Sequence, residues 1–157
     1  MSSTHLLRHT VATVAYRGGK AVRGAPAEFS AFRAKEGSRS AGEILAHVCD
    51  LYDWALSIAR GSQTWKNSTP QRWEQDAARF FDALGMFDAA LAERELPPET
   101  VQRLFQGPVA DSLTHVGQIA MLRRLAGAPV AGENYFVAEI AAGRVGAAQA
   151  APRKEFT

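Results

Sequence analysis

The sequence predicts an all-α fold, a four-helix bundle with a short additional helix near its C-terminal end. Apolar residues recur at helical spacing over long segments, alanine is frequent and β-branched residues are sparse. Strand-like alternation of apolar and polar residues is missing. At 157 residues the chain has the length of one domain, which buries roughly two-thirds of its unfolded surface. We therefore predict a single helical domain over residues 1–157.

The first two helices are predicted from their apolar faces and from the signals at their ends. The first runs from about Thr4 to Val22. Its apolar face holds Leu7, Val11 and Val14. The second begins with Ser40 and Glu43, which form a capping box directly before an apolar run. This helix is expected to end near Gly61.

The remaining helices are predicted from proline and glycine positions. Ser68-Thr69-Pro70 places proline at the first helical position of the third helix, which Pro97–Pro98 ends. The apolar positions of this helix step by four and three, as in a bundle seam: Trp73, Ala77, Phe80, Leu84, Phe87 and Leu91. Gly107-Pro108 is expected to start the fourth helix, which ends at Gly127. Glu133 to Ala142 is predicted as the short last helix.

Charge and cysteine content exclude several classes of function. With 18 Lys+Arg and 16 Asp+Glu, the net charge is only +2, and the absence of basic clusters argues against nucleic-acid binding. No window has the apolar length of a membrane span, and the N-terminus does not have the pattern of a signal peptide. Cys49 is the only cysteine, which suits a reducing compartment. We therefore expect a cytoplasmic protein that acts without membrane or nucleic acid.

Two histidines fall on the inward faces of predicted helices. On the second helix, His47 lies within the apolar arc, with Glu43 one turn before it and Asp50 one turn after it. On the fourth helix, Asp111 and His115 are four residues apart, so their side chains lie on one face. Histidine and carboxylate donors are therefore expected to face the interior from two helices.

The depth of these residues predicts a metal site. His47 and His115 each lie seven residues after a predicted helix start, which is roughly 10 Å at ~1.5 Å per residue. With alternating up-and-down connections, the second and fourth helices would be parallel and both imidazoles would lie at one depth. His47, Asp111 and His115 would then hold one divalent cation with open coordination positions, as catalytic sites do. Alternatively, the site binds no metal. The three side chains then only form hydrogen bonds with one another, and Asp111 only stabilises its helix by interacting with the helix dipole.

Two stretches of the chain resemble the DinB/YfiT-like proteins. Ser40-Ala-Gly-Glu-Ile-Leu-Ala-His47-Val-Cys-Asp-Leu, followed by Trp54, is similar to the histidine-bearing second helix of that family. Thr114-His115-Val-Gly-Gln-Ile, continuing to Gly127, looks like its closing helix. The resemblance covers nearly the whole chain. It implies a four-helix bundle, often a homodimer, in which three histidines hold a divalent metal.

Carried over residue by residue, the resemblance assigns His47 as the first metal ligand and His115 as the third. Asp111 stands at the middle position, where the family has a histidine. A harder oxygen donor shifts the preference away from nitrogen-rich zinc sites, so zinc, nickel, iron and manganese are all candidates. The same departure also allows a weak, altered or empty site.

Two functions are compatible with these features. The first is a metal-dependent transferase or hydrolase, in which the cation activates a low-molecular-weight thiol or water against a small electrophilic substrate. Glu43 or Asp50 would act as the base or orient a ligand, in a cleft lined by Trp54 and the third helix. The second is a non-catalytic homodimeric binding or stress-response module with a degenerate metal site. Apolar residues on the far side of the second helix favour an interface: Leu45, Tyr52 and Leu56.

Overall fold

The computed structural model describes residues 1–156 and confirms the all-α class. Its five α-helices are α1 (Ser3–Val22), α2 (Ala41–Ala59), α3 (Trp73–Glu93), α4 (Pro98–Leu104) and α5 (Ala110–Leu125). Short 3-10 turns occur at Ala27–Ala31 and Tyr135–Val137, and Gly132–Glu133 pairs antiparallel with Glu155–Phe156. No helix in the described part of the chain has both the length and the apolar character that crossing a bilayer requires.

Helices α2 and α3 run parallel, although they are consecutive. The Cys49 thiol, about midway along α2, lies 3.5 Å from the carbonyl oxygen of Asp76 in the first turn of α3. At the C-terminal ends of both helices, Arg94 donates to the carbonyl of Ala59 at 2.7 Å. Because both helices begin at the same end of the bundle, the connection 60–72 returns along its length.

Helices α2 and α5 run antiparallel, which corrects the predicted parallel arrangement. The Tyr52 hydroxyl lies 2.6 Å from the hydroxyl of Ser112. Two residues later on α2, the Trp54 ring lies 3.8 Å from the position of a Cβ added at Gly107. A later residue of α2 thus contacts an earlier residue of the segment that leads into α5, so the two helices run in opposite directions. The expected alternation fails because the connection 60–72 does not reverse the chain direction between α2 and α3.

The ends of the third and fourth helices differ from the predicted ones. Helix α3 begins at Trp73 instead of Pro70, and Arg72 is its N-cap. Side chains of the first turn bind the backbone ahead of the helix: Gln75 accepts from the Arg72 N–H at 3.3 Å and Asp76 accepts from the Gln71 N–H at 2.8 Å. Pro108 does not begin a helix. It lies within a π-helical turn, Phe105–Val109, which joins α4 to α5 without a break. The wider turn accommodates a proline that has no N–H to donate.

The predicted last helix, Glu133 to Ala142, is reduced to the single 3-10 turn at Tyr135–Val137. The side chain of Glu133 is fully buried and accepts hydrogen bonds from the Tyr16 hydroxyl and from Lys20, the latter at 2.9 Å. Burial, together with the neighbouring carboxylate, raises the pKa of Tyr16 and keeps its hydroxyl protonated as a donor. These bonds tether the segment to α1 and override its helical propensity.

The core lies between α1, α2, α3 and α5 and includes the residues predicted to form an interface. Leu45 and Tyr52 are 0% exposed and Leu56 is 8% exposed within a single chain. The second apolar stripe of α2 therefore packs against neighbouring helices of the same chain, and it does not support the predicted homodimer.

Gly18 lies where α1 crosses α3 and α5. A Cβ added at this position would lie 2.6 Å from Cζ of Phe80 and 3.3 Å from Cγ2 of Val116. The Phe80 side chain is 1% exposed, so its ring has little space into which it can move. Glycine is therefore required here for close helix packing, despite its poor helix propensity.

We expect Gly18→Ala to destabilise the protein by about 1–3 kcal/mol, because overpacking outweighs the ~1 kcal/mol that alanine gains in helix propensity. Gly85→Ala is the matched control, since a Cβ at this helical position meets no atom within 4 Å. It should stabilise the fold by up to about 1 kcal/mol. Denaturant unfolding measures both changes, and equal stability of the two variants would contradict the packing argument.

Candidate metal centre

His47 from α2 and Asp111 and His115 from α5 form one cluster, as the sequence predicts. One donor atom from each residue can be chosen so that all three lie within 4.8 Å of one another. Oδ2 of Asp111 lies 3.3 Å from Nε2 of His47 and 3.4 Å from Nε2 of His115. The two imidazole rings meet edge to face, with centroids 4.8 Å apart. The carboxylate oxygen thus lies close to both imidazole nitrogens.

Two of the three donor separations in this cluster have the length expected around a bound metal ion. Ordinary N–H···O bonds have lengths of about 2.9–3.0 Å, and both contacts to Asp111 are longer. With bonds of about 2.0–2.1 Å to a zinc-like cation, donors at the corners of a tetrahedron lie about 3.3–3.4 Å apart. The separations between Asp111 and the two histidines have this length, whereas the donor set as a whole extends to 4.8 Å. The two histidines would have to move closer together to bind one cation.

Gln118 fixes the orientation of His115. Its Oε1 lies 2.7 Å from Nδ1 of His115, so the amide oxygen accepts the Nδ1 proton. Neutral His115 then carries its free lone pair on Nε2, which faces the carboxylate oxygen of Asp111. A metal ion between them, or a proton on Nε2, would satisfy both groups. A hydrogen bond behind a ligating imidazole is a common feature of protein metal sites.

The cluster is buried on its histidine side and open on its carboxylate side. The side chains of His47 and His115 are 20% and 12% exposed, whereas that of Asp111 is 46% exposed. A cation bound here would therefore keep coordination positions accessible from solvent, which is the property that separates catalytic from structural metal sites.

Trp65 covers the other side of His47 and is a site residue that our sequence reasoning missed. Its ring centroid lies 5.8 Å from that of His47 and 5.7 Å from that of Trp54, edge to face in both cases. Trp65 belongs to the returning connection 60–72, which carries no regular secondary structure. A lone tryptophan in an irregular segment gives no periodicity from which its partner could be identified. Trp54 contacts Trp65 and not the three donor residues directly, so the cleft lined by Trp54 and the third helix stays a prediction.

Asp50 lies outside the cluster, in a second network that anchors the returning connection. Its carboxylate accepts from the backbone N–H of Ser68 at 2.9 Å and from Arg79 at 2.7 Å. Arg79 also donates to Asp53 and to the Ser68 hydroxyl. Asp50 is 5% exposed, and both of its oxygens are occupied. These contacts assign Asp50 to holding the connection against α2 and α3.

Asp50→Asn is expected to lower the free energy of unfolding by about 2–3 kcal/mol, because the buried side of an ion pair loses its charge. Metal affinity should not change. Asp53→Asn is the matched control, because this partner of Arg79 is 55% exposed and should cost at most about 1 kcal/mol. Thermal unfolding and metal titration separate the two properties. Lower metal affinity at unchanged stability would instead favour the predicted catalytic role of Asp50.

Glu43 also lies outside the cluster. Its Oε2 accepts from the backbone N–H of Ser40 at 2.6 Å and from Arg33 at 2.8 Å. The predicted capping box is confirmed, since the Ser40 hydroxyl accepts in turn from the Glu43 backbone N–H. The bond to the Ser40 backbone and the Arg33 guanidinium lower the pKa of Glu43. A carboxylate with a lowered pKa is a weak proton acceptor, and both of these partners hold Glu43 at the start of α2, so we assign it to the helix end.

Cys49 provides no reactive thiol. It is completely buried, and burial raises the pKa of its thiol well above the ordinary value. The thiol therefore stays protonated within the core.

Comparison with protein-family models, with curated proteins and with solved structures finds no match to this chain. The resemblance to DinB/YfiT-like proteins stays a prediction that depends on the two stretches around His47 and His115.

Proposed function

We propose that the protein binds one divalent cation at His47, Asp111 and His115 and uses it in a transferase or hydrolase reaction on a small molecule. The observation that carries this proposal is the convergence of one carboxylate and two imidazole donors within 4.8 Å. The orientation of His115 by Gln118 and the exposure of Asp111 support it further.

The residues of the site define the environment of the reaction. When bound, a divalent cation supplies Lewis-acid chemistry and lowers the pKa of a thiol or water that joins it. Two neutral imidazoles and one carboxylate bring a single negative charge, so the site retains net positive charge and attracts an anionic ligand. Trp65 packs against His47 and Trp54 packs against Trp65, so one side of the site is apolar and aromatic.

A thiol used in this reaction would have to come from a second molecule. Cys49 is the only cysteine in the sequence and lies completely buried. A small thiol would instead enter from the exposed side of Asp111. The nucleophile of the proposed reaction is therefore a low-molecular-weight thiol from solution or a water molecule.

Elemental analysis of the untagged protein tests the proposal, since a histidine tag would itself bind metal. We expect about one divalent ion per chain after expression in metal-replete medium. Adding the same ion to chelator-treated protein should stabilise it by ~2.7 kcal/mol when the free ion is at about 100 times its Kd. Protein that contains no metal and whose melting temperature does not respond to zinc, nickel, iron or manganese would contradict the proposal.

A further inference from the structure

A groove with a volume of about 500 Å³ begins at the candidate metal centre. His115 and Gln118 form one end of its wall, and the face of α5 continues it through Met121, Leu122 and Leu125. His115 and Leu125 are ten positions apart, which is roughly 15 Å along the helix at ~1.5 Å per residue. The groove is therefore an elongated extension of the metal site, and its volume is within the range of small-molecule pockets, about 300–1,000 Å³.

The wall of the groove is apolar and uncovered. Met121 and Leu125 are 55% and 57% exposed, although both are large hydrophobic residues. Ile44 of α2 completes the apolar surface opposite them. Exposed apolar surface that adjoins a cavity is typical of a binding site, because its burial by a ligand is favourable.

Arg39 is the only arginine, lysine or carboxylate side chain in the groove wall. Arg39 lies eight residues before His47. At ~1.5 Å per residue, this separation corresponds to roughly 12 Å along the axis of α2. Because α2 and α5 are antiparallel, Arg39 belongs to the Leu125 end of the groove, away from His115. Arg39 is exposed, and among residues 1–156 its side chain forms no hydrogen bond or ion pair.

Arg33, six residues before Arg39, is already held by partners within the protein. Arg33 donates to Glu43 at 2.8 Å and to the carbonyl of Ser38. The nearby carboxylate is thus already taken by another guanidinium, and no acidic residue lines the groove. The charge of Arg39 remains available to a ligand.

We infer that the groove binds a small amphipathic carboxylate, with its carboxylate on Arg39 and its apolar chain along Met121, Leu122 and Leu125. A guanidinium matches the planar carboxylate with two parallel hydrogen bonds, and the single cationic residue balances a single negative charge. The far end of the chain then reaches His115. This inference rests on the proposed function, since it identifies that far end as the part of the substrate that meets the cation.

Calorimetric titration with octanoate tests the inference, with octanol and acetate as matched probes that lack the charge or the chain. Octanoate should bind most tightly. Arg39→Gln should weaken octanoate binding about tenfold or more, and Leu125→Gln should weaken it as well. Arg124→Gln is the control, because this exposed arginine on α5 lies outside the groove, and it should bind octanoate like the unmodified protein.

Each titration is run with added zinc and after chelation, because a carboxylate can also coordinate a cation directly. Arg39-dependent binding that survives chelation supports the inference, even if the protein takes up no metal and the proposed function fails. Binding that vanishes on chelation and ignores Arg39→Gln overturns the inference while leaving the metal site intact. Equal affinity for octanol and octanoate also overturns the inference. A third contradicting result is that the protein is a dimer, that it binds no octanoate and that Leu125→Gln dissociates it.

Discussion

Replacing His47 and His115 together with alanine is expected to abolish stoichiometric metal binding. The double variant leaves Asp111 as the only donor of the cluster, and a single exposed carboxylate does not hold a transition-metal ion. Changes to residues that only support metal ligands typically cost about 10–100-fold in affinity, so loss of two ligands should exceed about 100-fold. Elemental analysis after dialysis and competition with a chromophoric chelator measure the loss.

The chain offers a matched control for this experiment. His5 and His9 are another pair at helical spacing, on α1, and both are exposed. A variant with both replaced by alanine removes the same number of imidazoles and should keep its metal. Circular dichroism should show that both double variants keep their helical content. Full metal content in the His47/His115 variant would disprove the proposed site.

The fold class and the members of the cluster could be predicted from the sequence because both depend on short-range periodicity. The four-residue spacing of Asp111 and His115 fixes a shared helix face wherever the helix begins. His47 similarly faces inward because of its position within the apolar arc of α2. These statements concern one helix at a time, and the structure confirms them.

The relative direction of the helices could not be predicted in the same way. The predicted equal depth of His47 and His115 assumed that α5 begins at Pro108 and runs parallel to α2, and both assumptions are wrong. His47 and His115 meet because the antiparallel helices α2 and α5 contact each other at these two positions. The connection 60–72 decides this arrangement, and its course depends on the long-range contacts of Asp50, Ser68 and Arg79.

The roles of the carboxylates illustrate a second limit. Angular position places Glu43 and Asp50 at the edge of the histidine face, but it does not reveal which cations come from elsewhere in the chain. Arg33 and Arg79 lie 10 and 29 residues away from the carboxylates to which they donate. A carboxylate near a histidine is a candidate base only when no such partner occupies it.

Arg123→Met is expected to cause the largest loss of stability, about 3 kcal/mol. Arg123 is 6% exposed and donates to four backbone carbonyls without any carboxylate partner. Three of them belong to Ala21, Arg23 and Gly24 at the end of α1, and the fourth is that of Ala128 after α5. Carbonyls at helix ends lack intrahelical donors and carry partial negative charge. Each buried group left without its donor costs roughly 1–3 kcal/mol, and water restores part of this loss at the surface.

Arg124→Met is the matched control, because it removes the adjacent arginine of the same helix. Arg124 is exposed and its side chain donates to no residue within 1–156, so the change should stay within about 0.5 kcal/mol. Denaturant unfolding compares the variants, and equal losses would contradict the role assigned to Arg123. Metal titration of folded Arg123→Met adds a second test. The donors lie between α2 and α5, whereas Arg123 ties α5 to α1, so stability should fall while metal affinity is retained. If both fall together, the tie to α1 also sets the distance between His47 and His115.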